Sequence, residues 1–495
     1  MEASDNQTFF SDMLEDVFIK LIRKDSKDPD VPPKRPKPDL ADNFYFVSAS
    51  NSSKSYPYHW ELHGPNIFCK KNESGGYFGY MSIDYAFLKK TSGTMINDQR
   101  CFGLLFIKRK TYEQLFSPDE EQIDRWFEKL KQYCILTKFK LSFETKNVLG
   151  RGNFAKVFCV QSIETGRQYA VKAFQKAAIM KDPKERKCLQ YEIKMLRAMR
   201  HDRVVRLEAL YEGEHYIYCL LELFKGSNLF KALITKGYQP EAKSLAIIFQ
   251  ILEALEYMHG KKIMHRDLKP ENIMLRSASD TIDIGLVDLG FATYESDYKN
   301  LFYRCGTPGY VAPEILNDRP YDCKADIFSA GVIFYILLSG VVPFYGKSYE
   351  EIVKRNSEAV INFSFPGSGS MREATLDLLR RMLERDPMNR ISARDALLHP
   401  CFQSLLSRSP LIIKHDYNSS KLLKLHELAE AVKPDQNVFF PDRIEDCSPN
   451  PRTPRPVAHP KAPPSHQKSP QRSPQKSPKR SPQHQPTQND PPLHW

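Results

Sequence analysis

The sequence predicts an α+β protein with more than one domain, and three observations support this. The chain has 495 residues, which is more than a single hydrophobic core usually organises. Short alternating runs rich in aromatic and β-branched residues fill the stretch from Phe44 to Ile107, and a helical pattern follows them. Far downstream, Ile327 to Phe344 is an apolar run long enough for a buried helix or a membrane span. Its Ser, Gly and Pro content favours the buried helix.

The net charge of +12 lies mostly in the C-terminal tail. From Ser448 onward, the sequence contains eight Lys and Arg residues and a single acidic residue, Asp490. The folded part is therefore only mildly basic, and no specific nucleic-acid partner is expected. The ten cysteines are scattered singly and form no CxxC pair, which predicts reduced thiols and a cytoplasmic protein. The acidic N-terminus lacks the pattern of a signal peptide.

Residues 1–41 are predicted to be a flexible segment that ends in a Pro-rich linker. Within it, Phe9 to Ile22 has the pattern of a short amphipathic helix. The stretch DPDVPPKRPKPD then excludes helix, because its prolines lack the N–H that a helix needs.

Residues 42–137 form the next predicted domain. Five β-rich runs, FYFVSAS, YHWELHG, NIFCKKN, YFGYMSI and CFGLLFIKR, precede a helix that Ser117 could cap with Glu120. Strands followed by one capped helix with a central Trp126 resemble a pleckstrin-homology domain, a small β-barrel closed by a C-terminal helix. The resemblance implies a phosphoinositide membrane as a partner, and here Lys54, Lys70 and Lys71 are the candidate ligands. Packing or protein docking is the alternative role.

The most informative stretch is His265 to Asn272, which reads HRDLKPEN. It resembles the catalytic loop of protein kinases. By that resemblance Asp267 would accept the proton of a substrate hydroxyl, Lys269 would neutralise the transferred phosphate, and Asn272 would offer an oxygen to Mg²⁺.

The kinase resemblance extends over residues 143–402 and implies a bilobal fold, with a small mainly β lobe and a large mainly α lobe. Lys172, in the run Tyr169-Ala170-Val171-Lys172, would hold the ATP phosphates, and Glu192 would pair with it. Leu221, Glu222 and Phe224 resemble the hinge that contacts adenine through its backbone. The glycine-rich strand and turn that would cover the phosphates are Leu149, Gly150, Arg151, Gly152, Asn153, Phe154, Ala155, Lys156 and Val157.

Asp288, in the run VDLG, matches the family's metal-binding aspartate, with Leu289 in place of the usual phenylalanine. The string CGTPGYVAPE resembles calcium/calmodulin-dependent and related serine/threonine kinases, and Thr307 within it would bond to Asp267 and Lys269. Tyr303 stands where many such kinases carry a phosphorylated threonine. Asp326, Glu314 and Arg390 also match the family, in structural roles. Asp326 would hold the catalytic loop, and Arg390 would pair with Glu314.

Beyond the kinase domain, the extension 403–446 contains an amphipathic pattern at residues 420–432. In calcium/calmodulin-regulated relatives a helix here blocks the substrate cleft, so calmodulin is a candidate partner. Packing on the large lobe is the alternative, because two interleaved acids make a poor basic target. Residues 447–495, with Ser-Pro repeated every four residues in its later part, predict a disordered basic tail open to phosphorylation.

These features together predict a serine/threonine protein kinase that uses ATP and Mg²⁺ and acts on protein substrates. Two alternatives remain at this point. The first is a pseudokinase scaffold that keeps the fold without the chemistry. The second is an adaptor recruited to a membrane through residues 42–137.

Overall fold

The computed structural model describes residues 9–10, 19–21, 37–48, 57–109, 111–151, 155–236, 239–277, 282–297 and 304–402. All of them belong to the first of the two units that the chain forms, residues 1–442. The helix predicted at 420–432 and the Ser-Pro tail lie outside the described residues. So do Lys54, Tyr303, Gly152, Asn153 and Phe154.

Antiparallel strands build the N-terminal part of the fold. They are β1 (Ile19–Leu21), β2 (Leu40–Ser48), β3 (Pro57–His63), β4 (Asn66–Lys70), β5 (Tyr77–Ser82), β6 (Phe87–Ile96), β7 (Gln99–Lys108) and β8 (Thr111–Ser117). Their order in the sheet is β1-β5-β4-β3-β2-β8-β7-β6. The five predicted runs correspond to β2–β5 and β7. Sequence reasoning missed β6 and β8. In β6 the exposed Lys89 and Lys90 interrupt the apolar alternation.

Helix α1 (Glu120–Leu130) follows β8. Of the residues that repeat at helical spacing within it, Ile123, Trp126 and Leu130 are buried and Phe127 is half-buried. The predicted cap is wrong. Asp119, and not Ser117, caps the helix, because its carboxylate accepts the N–H groups of Glu121 at 3.0 Å and Gln122 at 3.3 Å. Asp119 has the extended backbone of a capping residue, so the helix begins one residue after it.

The N-terminal segment also departs from the prediction. The pattern from Phe9 to Ile22 predicts a helix, but residues 19–21 form β1, which pairs antiparallel with β5. The sequence Ile-Lys-Leu alternates apolar and polar residues, which suits a strand at the open edge of β5. Phe9 and Phe10 form a turn and are fully buried, so this segment is anchored at two places where flexibility is predicted.

The second part of the fold is again rich in strands. Its strands are β9 (Ile135–Leu136), β10 (Phe143–Arg151), β11 (Ala155–Ser162), β12 (Gln168–Gln175), β13 (Leu207–Glu212) and β14 (Tyr216–Leu221). Its helices are α2 (Phe139–Ser142), α3 (Lys176–Ile179) and α4 (Pro183–Ala198). The strand order is β9-β13-β14-β12-β11-β10. Helix α4 begins at Pro183 after Asp182, whose carboxylate accepts the N–H of Lys184 at 2.8 Å.

Strand β9 joins the two strand-rich parts into one sheet. It runs parallel to β6, where Ile135 lies opposite Phe87, and parallel to β13, where Ile135 lies opposite Leu210. The Ile135 N–H also donates to the Ala86 carbonyl at 2.8 Å. The N-terminal domain is therefore hydrogen-bonded to the next domain through its backbone.

The third part is mainly helical. Its helices are α5 (Leu229–Lys236), α6 (Glu241–Gly260), α7 (Pro313–Leu316), α8 (Lys324–Ser339), α9 (Tyr349–Glu358), α10 (Glu373–Met382) and α11 (Ala393–Leu397). Its short strands are β15 (Ile263–Met264), β16 (Ile273–Leu275), β17 (Ile284–Leu286) and β18 (Thr293–Tyr294). Strand β15 pairs with β18, and β16 pairs with β17.

Helix α8 accounts for most of the apolar run that length alone would allow to be a membrane span. Its residues from Ala325 to Ser339 are all buried, and Phe328 and Phe334 are among the largest fully buried side chains. In the part of the chain that the structure describes, no helix combines the length and apolarity required to cross a bilayer.

Candidate active site

The HRDLKPEN loop lies between β15 and β16 and is fixed by a buried carboxylate of α8. Asp326 accepts the backbone N–H groups of His265 at 2.8 Å and Arg266 at 2.9 Å, as predicted. Burial would raise the pKa of Asp326, but the hydrogen bond with His259 together with the charges of His259 and His265 and the His265 N–H lowers the pKa below its ordinary value. The loop is therefore tied to the most buried helix of the large lobe.

Asp267 lies at the centre of a small polar ring. The Thr307 hydroxyl donates to Asp267 Oδ1 at 2.6 Å, and the Lys269 ammonium lies 2.9 Å from Asp267 Oδ2 and 2.9 Å from Thr307 Oγ1. The Asn272 amide donates to the other side of the same aspartate, at 2.9 Å to its carbonyl and 3.1 Å to Oδ2. Because every member is hydrogen-bonded, the carboxylate has one orientation.

A second cluster joins the two halves of the site. The Lys172 ammonium on β12 donates to Glu192 of α4 at 2.7 Å and to Asp288 at 3.0 Å. Lys172 lowers the pKa of Asp288 to about 2, so this carboxylate is ionised at neutral pH. Burial lowers the pKa of Lys172, yet Asp288 and Glu192 outweigh it and raise the pKa above its ordinary value. Asp288 itself has φ of +61°, a left-handed backbone that is uncommon outside glycine.

The described part of the predicted glycine-rich segment is a strand pair. Leu149, Gly150 and Arg151 end β10, and Ala155, Lys156 and Val157 begin β11. Val157 lies opposite Lys172 across the β11–β12 ladder, so the segment starts beside the lysine predicted to hold the phosphates. Leu149 is half exposed, which leaves its side chain accessible at this edge.

The predicted hinge connects β14 to α5. Ala170 of β12 lies opposite Leu221 of β14. The side chains of the next two candidates are engaged elsewhere: Glu222 pairs with Arg276, and Phe224 is buried against Gly285. These two residues could therefore meet an adenine only through their backbones. Asn228, further along, caps α5 by accepting the Lys231 N–H at 2.9 Å.

The loop that carries Thr307 is held from both ends. Gly306 has φ of +116°, and a Cβ there would lie 2.9 Å from the Arg266 carbonyl, so only glycine fits. On the far side, the fully buried Asn356 of α9 accepts the Gly309 N–H and donates to the Val311 carbonyl, both at 2.9 Å. Sequence reasoning missed Asn356, because no local pattern marks an asparagine that acts on a distant loop.

The ion pair of Glu314 and Arg390 anchors the same region to the base of the large lobe. Arg390 donates through two nitrogens to the two Glu314 oxygens, at 2.6 and 3.0 Å, and both side chains are buried. This pair is as predicted.

Arg266 of the catalytic loop donates to the Phe291 carbonyl at 2.7 Å and to the Tyr321 hydroxyl at 3.2 Å. The sequence leaves open whether Arg266 meets a phosphate on Tyr303 or no such group, and Tyr303 lies outside the described residues.

The loop, the ring around Asp267 and the lysine between two carboxylates define a phosphoryl-transfer site of the protein kinase type. The protein kinase domain model matches residues 143–402, about half of the chain. The chain therefore belongs to the protein kinase family.

Known proteins of this family show extended similarity. The chain is 35% identical over 271 residues to myosin light chain kinase A of Dictyostelium discoideum, covering 54% of this chain and 90% of that protein. It is 37% identical over 259 residues to calcium/calmodulin-dependent protein kinase type 1 of Caenorhabditis elegans, covering 52% and 73%. It is 34% identical over 276 residues to calcium-dependent protein kinase 4 of Plasmodium falciparum, covering 56% and 52%. The predicted serine/threonine kinase is confirmed at the level of the family.

Proposed function

We propose that this kinase transfers the γ-phosphoryl group of ATP to serine and threonine hydroxyls of protein substrates in intracellular signalling. The observation that carries the proposal is the position of Lys172, which contacts Glu192 of the small lobe and Asp288 of the large lobe at the same time. This arrangement assembles the phosphate-binding and metal-binding groups around one point.

Each polar group then has a role that follows from its contacts. Asp267 accepts the proton of the substrate hydroxyl, because its carboxylate is held by Thr307 and Asn272 in one orientation. Lys269 lies beside it and offsets the negative charge of the transferred phosphate. Lys172, kept in place by Glu192, binds the ATP phosphates.

The donor set also fits a magnesium ion. Asp288 offers an ionised carboxylate and Asn272 an amide oxygen, which are the hard oxygen ligands that Mg²⁺ prefers. Among the described residues, no group of three or more His, Cys, Asp or Glu side chains could hold a metal ion. Asp288 and Asn272 would therefore share the ion with the ATP phosphates. When bound, Mg²⁺ neutralises phosphate charge and orients the γ-phosphoryl group.

We also propose that residues 42–137 are a pleckstrin-homology-like module. The support is the strand order, in which β5-β4-β3-β2 continues into β8-β7-β6 and α1 covers one side. The contacts favour docking over phosphoinositide binding. Of the predicted lipid ligands, Lys70 donates to the buried Glu61 at 2.5 Å, so its charge is already paired, and Lys71 alone is a described, exposed candidate.

Regulation by calmodulin is a separate proposal. It rests on the similarity to a calcium/calmodulin-dependent kinase and on the helical pattern at 420–432. Transfer rates of the full chain with calmodulin would be measured in calcium and in chelator. A rate that rises only in calcium supports the proposal, and equal rates reject it.

The catalytic proposal is tested with the full chain, Mg·ATP labelled in its γ-phosphate, and a mixed protein substrate. Phosphoserine and phosphothreonine should form, and Asp267→Asn should lower kcat by about 10²-fold or more while ATP still binds. Phosphotyrosine as the main product would contradict the proposal. Transfer that is absent from the wild-type chain despite ATP binding would favour the scaffold alternative.

A further inference from the structure

Two consecutive aromatic residues from the start of the chain are buried in the small lobe. Phe9 and Phe10 are each fully shielded from solvent. They belong to the same apolar cluster as Phe174 of β12 and as Leu189 and Ile193 of helix α4. Arg186 of α4 lies 5.7 Å from the Phe9 ring centroid, so the segment lies against the helix that carries Glu192.

The backbone around Phe9 is held by charged groups. Its N–H donates to Glu212 Oε1 at 3.0 Å, and Lys176 lies 2.7 Å from the same oxygen. Arg186 of α4 donates to the Phe9 carbonyl at 3.1 Å and lies 5.7 Å from the Phe9 ring centroid. Both backbone polar groups of Phe9 are therefore satisfied by buried or half-buried charges, as in a built binding site.

Phe10 connects the segment to the N-terminal domain. Its ring stacks on Tyr85 with centroids 5.4 Å apart, and the Arg197 guanidinium lies 4.1 Å from the centroid of the same tyrosine. Arg197 also donates to Asp84 at 2.5 Å and to the Cys134 carbonyl at 3.3 Å. The N-terminal domain therefore contacts the C-terminal half of α4 through Arg197.

The two arginines lie on either side of Glu192 along α4. Arg186 contacts the Phe9 backbone, and Arg197 contacts Asp84 of the N-terminal domain. Both halves of the helix are therefore fixed by residues from outside the kinase domain. In this arrangement Glu192 reaches Lys172 at 2.7 Å. A small shift of α4 would break that contact, because a hydrogen bond between the carboxylate and the ammonium weakens steeply as the distance between them increases.

We propose that this pocket of the small lobe is a binding site for a Phe-Phe segment, which the chain supplies itself through Phe9 and Phe10. Together with Asp84 and Tyr85, the bound segment holds α4 in the position where Glu192 pairs with Lys172. The N-terminal region is thus an activating element of the kinase. This inference rests on the role proposed above for Lys172 and Glu192.

The test uses the full chain with Phe9→Ala and Phe10→Ala together, and the matched control is Phe9→Leu with Phe10→Leu, which keeps apolar volume. We expect kcat/KM for ATP to fall about tenfold in the alanine variant and about twofold in the leucine control. Amide hydrogen exchange should quicken in α4 and stay unchanged in α8. Met95→Ala, at an exposed position of strand β6 in the N-terminal domain, should change neither measurement.

Rescue in trans separates a binding site from mere packing. A synthetic peptide of residues 1–21, added at about 1 mM, should restore both the rate and the α4 protection of the alanine variant. The same peptide with both phenylalanines replaced by alanine should not. A slower variant that the peptide fails to restore would overturn the binding site.

Two further outcomes would overturn the activating role. One is an alanine variant with an unchanged rate and unchanged α4 exchange. The other is a slower variant whose α4 exchange stays at the wild-type level. The exchange measurement needs no catalysis, so it still tests the contact with α4 if the wild-type chain transfers no phosphate and the catalytic proposal fails.

Discussion

The ammonium of Lys172 lies 3.0 Å from the carboxylate of Asp288, and this contact links strand β12 of the small lobe to the large lobe. Lys172 simultaneously donates to Glu192, so one half-buried cation contacts two carboxylates from different elements. In a kinase this arrangement prepares the phosphate site before ATP arrives, which lowers the cost of orienting it.

The geometry around Lys172 should not tolerate arginine. Lys172→Arg keeps the charge, but the planar guanidinium cannot place one nitrogen at both carboxylates. We expect kcat to fall by about 10²-fold. Steady-state kinetics checks this, with Lys146→Arg as the control because Lys146 forms a surface ion pair with Glu144. A Lys172→Arg enzyme with wild-type kcat would contradict the requirement that one nitrogen contacts both carboxylates.

The Thr307 hydroxyl should matter for catalysis separately from the shape of its side chain. Thr307→Val removes the hydrogen bonds to Asp267 and Lys269 and keeps the volume, so kcat should fall by about tenfold or more. Thr307→Ser keeps the hydroxyl and should retain most of the activity. If valine and serine variants have equal rates, the ring around Asp267 does not depend on this hydroxyl.

The N-terminal domain should owe part of its stability to the buried carboxylate of Glu61. Burial would raise the pKa of Glu61, but hydrogen bonds from Lys70 and Tyr77 outweigh it and lower the pKa to about 2 from an ordinary value of 4.5. A lowered pKa stabilises the folded state above pH 4.5, and this contribution is lost as the pH falls toward 2. We expect Glu61→Gln to lower the free energy of unfolding by about 2 kcal/mol at pH 7.

Denaturant unfolding of the full chain at several pH values checks this effect, following a signal from the N-terminal tryptophans Trp60 and Trp126. The difference between wild type and Glu61→Gln should shrink between pH 4.5 and 2. The control is Glu73→Gln, an exposed carboxylate between β4 and β5. A difference that stays constant across this range would show that the ionised Glu61 is not the stabilising group.

The buried pair of Glu314 and Arg390 should be required for the large lobe. Arg390→Met leaves the Glu314 carboxylate buried without its cation, which should cost about 3–5 kcal/mol of folding stability. Arg381→Met, which breaks a solvent-exposed pair with Asp377, should cost less than about 1 kcal/mol. Thermal unfolding of both variants checks this. Equal losses in the two variants would contradict the importance of burial.

The sequence was sufficient to predict the groups that carry chemistry, because phosphoryl transfer requires particular side chains at particular spacings. Asp267, Lys269 and Asn272 share one loop, and the structure places Thr307 against them. The buried helix α8 was also predictable from its composition. These features depend on residue type more than on remote packing.

Other features depend on contacts between distant parts of the chain, and the sequence did not reveal them. The pattern from Phe9 to Ile22 suggests a helix, yet residues 19–21 pair with the open edge of β5, and Phe9 and Phe10 are buried beside α4. The role of Asn356 likewise depends on a distant part of the chain, because its side chain bonds to the backbone of Gly309 and Val311. The predicted cap at Ser117 is wrong for a local reason, because Asp119, two residues further on, offers a better-placed carboxylate.

The most direct test of the catalytic account is the initial rate of phosphate transfer from Mg·ATP to a serine/threonine substrate by the full chain and by Asp288→Ala. The account predicts transfer by the wild type and a loss of about 10³-fold or more in the variant, with folding preserved in thermal unfolding. A variant that transfers phosphate at the wild-type rate would contradict the role given to Asp288 and to its contact with Lys172.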